Sequence, residues 1–176
     1  MVESTQIATR TSQVPVQRGE EATRNQFLTF SLGGEVLAAE IRLVKEILQY
    51  SSITEVPLTP PEIRGVLNLR GAVVPVIDLA VRFGRPATLV DKRTCIVILE
   101  TVENERSTVM GIMVDHVSEV IELAPADIEP PPAFGNTLRP DFIRGVGRIG
   151  GKFVLILEME RILSLEDLAG TGLGAA

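Results

Sequence analysis

Histidine and cysteine, the residue types that most often carry catalysis or hold metals, occur once each in this chain of 176 residues, as His116 and Cys95. A metal centre or a nucleophile with its base needs several such groups converging on one point. His116 lies in Val114-Asp115-His116-Val117-Ser118-Glu119 and reads as a surface or lightly packed side chain. Cys95 opens the apolar run Cys95-Ile96-Val97-Ile98-Leu99. A reactive thiol needs an electropositive, accessible setting, whereas a thiol in such a run behaves as a small hydrophobe. Glu46 and Glu119 could together do acid–base work. Gly145, Gly147, Gly150 and Gly151 look like a phosphate cradle, yet neither a Gly-x-x-x-x-Gly-Lys-Ser/Thr run nor a strand-linked Gly-x-Gly-x-x-Gly occurs. The expectation is a chain with no catalytic residues, no cofactor and no metal.

An internal repeat explains the tempting groups differently. Sliding the chain by 80 places Ile63, Arg64, Gly65 and Val66 on Ile143, Arg144, Gly145 and Val146, and matches Gly71 with Gly151 and Val74 with Val154. Upstream, a slide of 73 matches Val36 with Val109, Val44 with Val117, Glu46 with Glu119 and Ile47 with Val120. Repeat equivalence accounts for the two glutamates and makes the glycines turn and close-packing residues. Two units of about 65 to 75 residues follow, each marginal alone, so they must share apolar surface.

The elements that position these residues are mostly strands. Gln26 to Leu32 and Glu35 to Ala38 flank Gly33-Gly34 and predict a hairpin. Ile41, Val44, Ile47 and Leu48 recur at helical spacing, which predicts a helix. After Pro57, Pro60 and Pro61, the segment Ile63 to Leu79 predicts a strand, a tight turn at Arg70-Gly71 and a second strand, with Asp78 capping a short helix through Phe83. Pro75 removes a ladder donor, which places its strand at an edge or beside a bulge. Thr94 to Glu100 predicts a strand buried on both faces. A final helix from about Met159 to Leu168 is expected to pack across the junction of the units.

Composition narrows the partners. With 17 basic and 23 acidic residues the formal net charge is -6, which argues against nucleic acid, whose binding rests on clustered cations. No apolar run approaches the roughly 20 residues that a membrane helix needs, so direct membrane insertion is not expected. Residues 1–25 are polar and lack periodicity, and are expected to be a flexible tail, as are 169–176. A single cysteine and the lack of a secretion-like apolar segment point to a cytoplasmic protein. What remains is shaped surface: Arg70 at its turn can project a five-donor fork toward a carboxylate, of a partner or of its own chain. Glu46 beside Val44 could form a mixed docking patch. Arg64, with Arg144 as its counterpart, leans toward a structural role.

Ile63-Arg64-Gly65-Val66-Leu67-Asn68-Leu69-Arg70-Gly71, followed by Val73-Val74-Pro75-Val76-Ile77-Asp78-Leu79, resembles the signature of the CheW-type coupling proteins of bacterial chemotaxis. Gly111-Ile112-Met113-Val114-Asp115, the triple proline before Phe134-Gly135, and Ile143-Arg144-Gly145-Val146-Gly147 agree with it. The resemblance implies a mainly β fold: two SH3-like five-stranded barrels around a common core within residues 26–168, interleaved near 85–110. It implies a non-enzymatic adaptor linking the cytoplasmic tip of a chemoreceptor, held in a groove between the subdomains, to the regulatory domain of the chemotaxis histidine kinase. Val44, Glu46, Arg64, Asn68 and Arg70 are the residues that the resemblance and the surface argument offer as protein contacts. Competing expectations are an adaptor of a non-flagellar pathway, for surface motility or second-messenger output, and a small-molecule-binding barrel protein or barrel enzyme.

Overall fold

The structure, a computed structural model, describes residues 26–131, 138–164 and 168. Ten strands form two five-stranded sheets, in the orders β8-β1-β2-β10-β9 and β3-β6-β7-β5-β4. The first sheet contains β1 (Gln26–Leu32), β2 (Glu35–Glu40), β8 (His116–Glu122), β9 (Ile143–Ile149) and β10 (Lys152–Leu157). The second contains β3 (Val44–Gln49), β4 (Ile63–Leu69), β5 (Ala72–Asp78), β6 (Cys95–Glu103) and β7 (Arg106–Val114). Replacing each strand by the one five places along the chain turns one order into the other. Each sheet therefore takes two adjacent strands, β1 and β2 or β6 and β7, from the opposite half of the chain.

Alternation along the strands builds three apolar clusters rather than one. On β6, Ile96 and Ile98 pack with Val74, Val76 and Met113 inside the second sheet. Val97 and Leu99 point the other way and join Leu28, Phe30, Leu37 and Ile112 in the core between the sheets. On β10, Val154 and Ile156 pack with Phe27 and Ile121 inside the first sheet, while Leu157 joins the shared core. The continuous apolar run of β6 is thus explained by two buried faces.

Each sheet curls until its edges meet. The chain beyond β3 returns to β4 through Thr54, which exchanges backbone hydrogen bonds of 2.8 Å with Val66. Beyond β8, Glu129 does the same with Val146, at 2.9 and 2.7 Å. Gly65 and Gly145 stand beside these bridges: a Cβ on Gly65 would lie 2.4 Å from the Thr54 carbonyl oxygen, and one on Gly145 2.4 Å from Ile128 Cγ2. Close approach, not phosphate binding, accounts for these glycines.

The hairpin of β1 and β2 and the short helix α1 (Leu79–Arg82), capped by Asp78 Oδ1 accepting the Ala80 N–H at 3.1 Å, lie where the sequence places them. Two elements differ. Residues 41 to 48 are not a helix: one 3-10 turn at Ile41–Leu43 leads directly into β3, where Val44, Glu46 and Leu48 are half-buried and Lys45, Ile47 and Gln49 exposed. β-branched residues and pairing with β6 override the apparent helical spacing. Pro75 takes the second of the two places its missing donor allows, beside a bulge and not at an edge, since β5 lies between β7 and β4. It sits just before the β7 pairing begins at Val76 and beside a register shift opposite Gly65, where a missing donor is tolerated. The helix α2 (Met159–Ile162) is four residues long; residues 165–167 lie outside the described chain, and Leu168, itself helical, is buried in the shared core. The 1–25 and 169–176 tails and most of the triple-proline loop also lie outside the described residues.

Candidate functional site

Arg70 occupies the β4–β5 turn with a left-handed φ of 53°, followed by Gly71 at 87°. A residue with a β-carbon pays about 1 kcal/mol of strain there, which glycine avoids. The Arg70 Nη2 lies 2.8 Å from Glu46 Oε1, with the arginine side chain 73% exposed and the glutamate side chain 26%. β3 and β4 are the two edge strands of their sheet, so this ion pair bridges the seam where the barrel closes. Beside the pair lies a groove of about 760 Å³, lined by Lys45, Glu46, Leu69, Arg70, Ala72, Val73, Val74, Pro75, Ser107, Thr108, Val109 and Met110. Its floor is apolar and its rim charged, an arrangement suited to a protein partner. Lys45 Nζ is 3.4 Å from Glu100 Oε1. A hydrogen bond donated by the Ser107 hydroxyl, aided by Lys45, holds the Glu100 carboxyl below the usual carboxylate range.

The first sheet carries the counterpart of this groove. A space of about 820 Å³ is lined by Gly34, Glu35, Val36, Glu129, Pro130, Val146, Arg148, Lys152, Phe153 and Leu155. The slides of 73 and 80 carry Val36 to Val109, Phe153 to Val73 and Leu155 to Pro75. Val73 is 68% exposed and Phe153 62%. The first groove carries Lys45, Glu46 and Arg70; the second carries Glu35, Glu129, Lys152 and Arg148, whose guanidinium lies 5.0 Å from the Phe153 ring centroid. The first groove is lined by strands and the β4–β5 turn of one sheet, the second by strands of the other with its closing residues Glu129 and Pro130.

The five sequence-derived candidates divide accordingly. Glu46 and Arg70 come together on the first groove. Val44 is half-buried against the shared core and supports β3. Asn68 is exposed, and its Oδ1 closes the turn by accepting the Gly71 backbone N–H at 2.9 Å. Arg64 holds the interior, donating from Nη1 to Asp78 Oδ2 at 2.8 Å and to the Thr88 carbonyl at 3.4 Å. Sequence reasoning missed Val73 and Phe153. The signal was present, since alternation from the buried pairs Val74/Val76 and Val154/Ile156 sends both outward at matched repeat positions. Cys95 is half-buried, with Sγ 3.3 Å from the Arg93 carbonyl oxygen. Among the described residues one group of three carboxylates, Glu40, Glu158 and Glu160, has oxygens within 4.8 Å of one another, but Arg42 and Arg144 already lie against it.

Two small barrels fused over one core, each with an apolar groove, have the form of a protein-docking module. The chain belongs to the CheW-like family: the CheW-like domain matches residues 26–167. It is 38% identical to the chemotaxis protein CheW of Klebsiella aerogenes over 149 residues, 85% of this chain and 87% of that protein. It is 31% identical to Protein FrzA of Myxococcus xanthus over 126 residues, 72% of this chain and 76% of the relative. The crystal structure of the scaffolding protein TtCheW from Thermoanaerobacter tengcongensis superimposes with a TM-score of 0.71 at 33% identity, covering 80% of this chain and 88% of that one.

Proposed function

We propose that this chemotaxis adaptor works without catalysis, by holding the cytoplasmic tip of a chemoreceptor and the regulatory domain of the chemotaxis histidine kinase together in one array. The observation that carries this reading is the pair of repeat-related grooves, one on each sheet. An adaptor must engage two partners at once, and a duplicated barrel offers two similar surfaces whose rims differ in charge. A rigid shared core between them keeps their relative geometry fixed, so that a receptor conformation can bias the kinase. The adaptor acts in the cytoplasm, at the inner face of the membrane through the receptors; no described helix is long and apolar enough to cross a membrane. Glu46 and Arg70 provide directional contacts at the first groove, and Val73 and Phe153 are the apolar anchors of the two grooves.

Co-sedimentation with receptor and kinase, together with separate titrations of each, tests the proposal. Arg70→Glu is expected to weaken one partnership on the order of tenfold or more and Phe153→Ala the other, by desolvated-contact loss. Both variants should melt close to the wild type, because neither side chain is buried. Normal assembly by both folded variants would overturn the proposal.

A further inference from the structure

We infer that Asn68 is a positioning residue, which fixes the turn from which Arg70 is presented at the first groove; its effect on docking rests on the function proposed above. Asn68 and Arg70 stand two residues apart at the end of β4, yet their side chains act in opposite directions. Arg70 reaches outward to Glu46 Oε1 at 2.8 Å. Asn68 reaches back, accepting the Gly71 N–H at 2.9 Å, and so closes the turn around Arg70.

The other half of the molecule shows what this turn needs. There the path Arg148-Ile149-Gly150-Gly151 has φ of 55° and 80° at Gly150 and Gly151, almost the same as the 53° and 87° of Arg70 and Gly71. With glycine at the first left-handed position the backbone is relaxed. Position 148, the counterpart of Asn68, is then released for another use, and its guanidinium stacks over Phe153. In the first half an arginine fills the strained position and a side-chain acceptor appears two residues earlier. The turn itself does not require arginine, since glycine forms it one repeat later. The pair Asn68 and Arg70 is therefore read as a display device: one residue supplies the guanidinium, the other holds the backbone that aims it across the barrel seam. A pre-aimed side chain loses less freedom on binding than a mobile one.

The test titrates a receptor tip fragment and the kinase regulatory domain separately against wild type, Asn68→Ala, Asn68→Asp, Arg70→Gly and the Asn68→Ala/Arg70→Gly double variant. Nitrogen-15 relaxation at the Arg70 Nε and thermal melts accompany the titrations. Asn68→Ala is expected to loosen Arg70 Nε and weaken one partnership about three- to tenfold, without a matching loss of melting temperature. Asn68→Asp, which keeps an acceptor at the same reach, should restore most of the affinity. In the Arg70→Gly background, Asn68→Ala should add nothing, because no side chain is left to aim. The inference is overturned if Arg70 Nε is as ordered in Asn68→Ala as in wild type, or if Asn68→Ala costs as much affinity without Arg70 as with it. Should Arg70→Gly bind both partners like wild type while Asn68→Ala still loosens Arg70 Nε, the docking reading fails and the positioning of Arg70 stands.

Discussion

Asp78 and Glu158 hold the same place in the two halves of the molecule, each ending a strand pair and preceding a four-residue helix. Asp78 is fully buried and accepts four hydrogen bonds, from Arg64 Nη1, the Ala80 and Thr88 backbone N–H groups and the Thr88 hydroxyl. The matching pair has not formed one repeat later. Arg144 instead lies 2.5 Å from Glu40 Oε1, while Arg42 Nε holds the same carboxylate's Oε2 at 2.7 Å. Glu158 is left with long-range attraction to Arg144; desolvation by burial outweighs it and raises the carboxyl above its usual range. The cause is a single position on the strand each sheet borrows. Glu40 ends β2, and its counterpart on β7 is Met113, which is apolar and buried and offers Arg64 no carboxylate. Duplicated ion pairs thus diverge through what the opposite half brings to them.

Removing the two arginines should expose the difference most clearly. Arg64→Ala leaves a buried, hydrogen-bonded carboxylate without its cation and is expected to cost on the order of 3 kcal/mol in denaturant unfolding. Arg144→Ala should cost about 1 kcal/mol, since its side chain is 41% exposed and Arg42 remains on Glu40. Equal losses would break the comparison.

The bridging glycines form a second contrast. On Gly65 a Cβ would meet the Thr54 carbonyl at 2.4 Å and its carbon at 2.9 Å, backbone held by two hydrogen bonds; on Gly145 it would first meet the Ile128 methyl, which can move, and then the Glu129 oxygen at 2.8 Å. Gly65→Ala should therefore destabilise by about 2 kcal/mol and Gly145→Ala by less, both within the range for overpacking. The reverse order in matched melts would contradict this account of barrel closure.

The smallest effect concerns pH. Because folding raises the Glu158 carboxyl above its ordinary value of 4.5, the folded chain keeps that proton to higher pH than the unfolded chain. Its contribution is fully present below the unfolded value and is lost as pH rises through the folded one. Glu158→Gln should flatten the fall in stability over that window and leave the variant more stable than wild type at neutral pH. An unchanged slope would assign the titration elsewhere.

Much of this architecture is legible locally. The first hairpin, the Arg70-Gly71 turn and the Asp78 cap depend on neighbours within a few residues, so short motifs reveal them. The stretch from Ile41 to Leu48 misleads because four apolar residues fit a helical period by chance, while the governing alternation of Val44, Glu46 and Leu48 includes a charged member. Glu46 takes the half-buried side of that alternation, where Arg70 meets it across the seam. Pro75 is half legible: its missing donor calls for an edge or a bulge, and the fold chooses the bulge, at the point where pairing with β7 begins.

Hydrophobic alternation, the two slides of the repeat, the family signature and the scarcity of histidine and cysteine are properties of the sequence by itself, since each is read within or between short segments. Partner choice is not. Which sheet receives β1 and β2 or β6 and β7, which carboxylate captures Arg144, and the meeting of Glu46 with Arg70 all depend on strands from both halves crossing over. Electrostatic and packing energies act through space between residues far apart in the chain, so only the folded barrels decided that Arg64 would pair with Asp78 and Arg70 with Glu46.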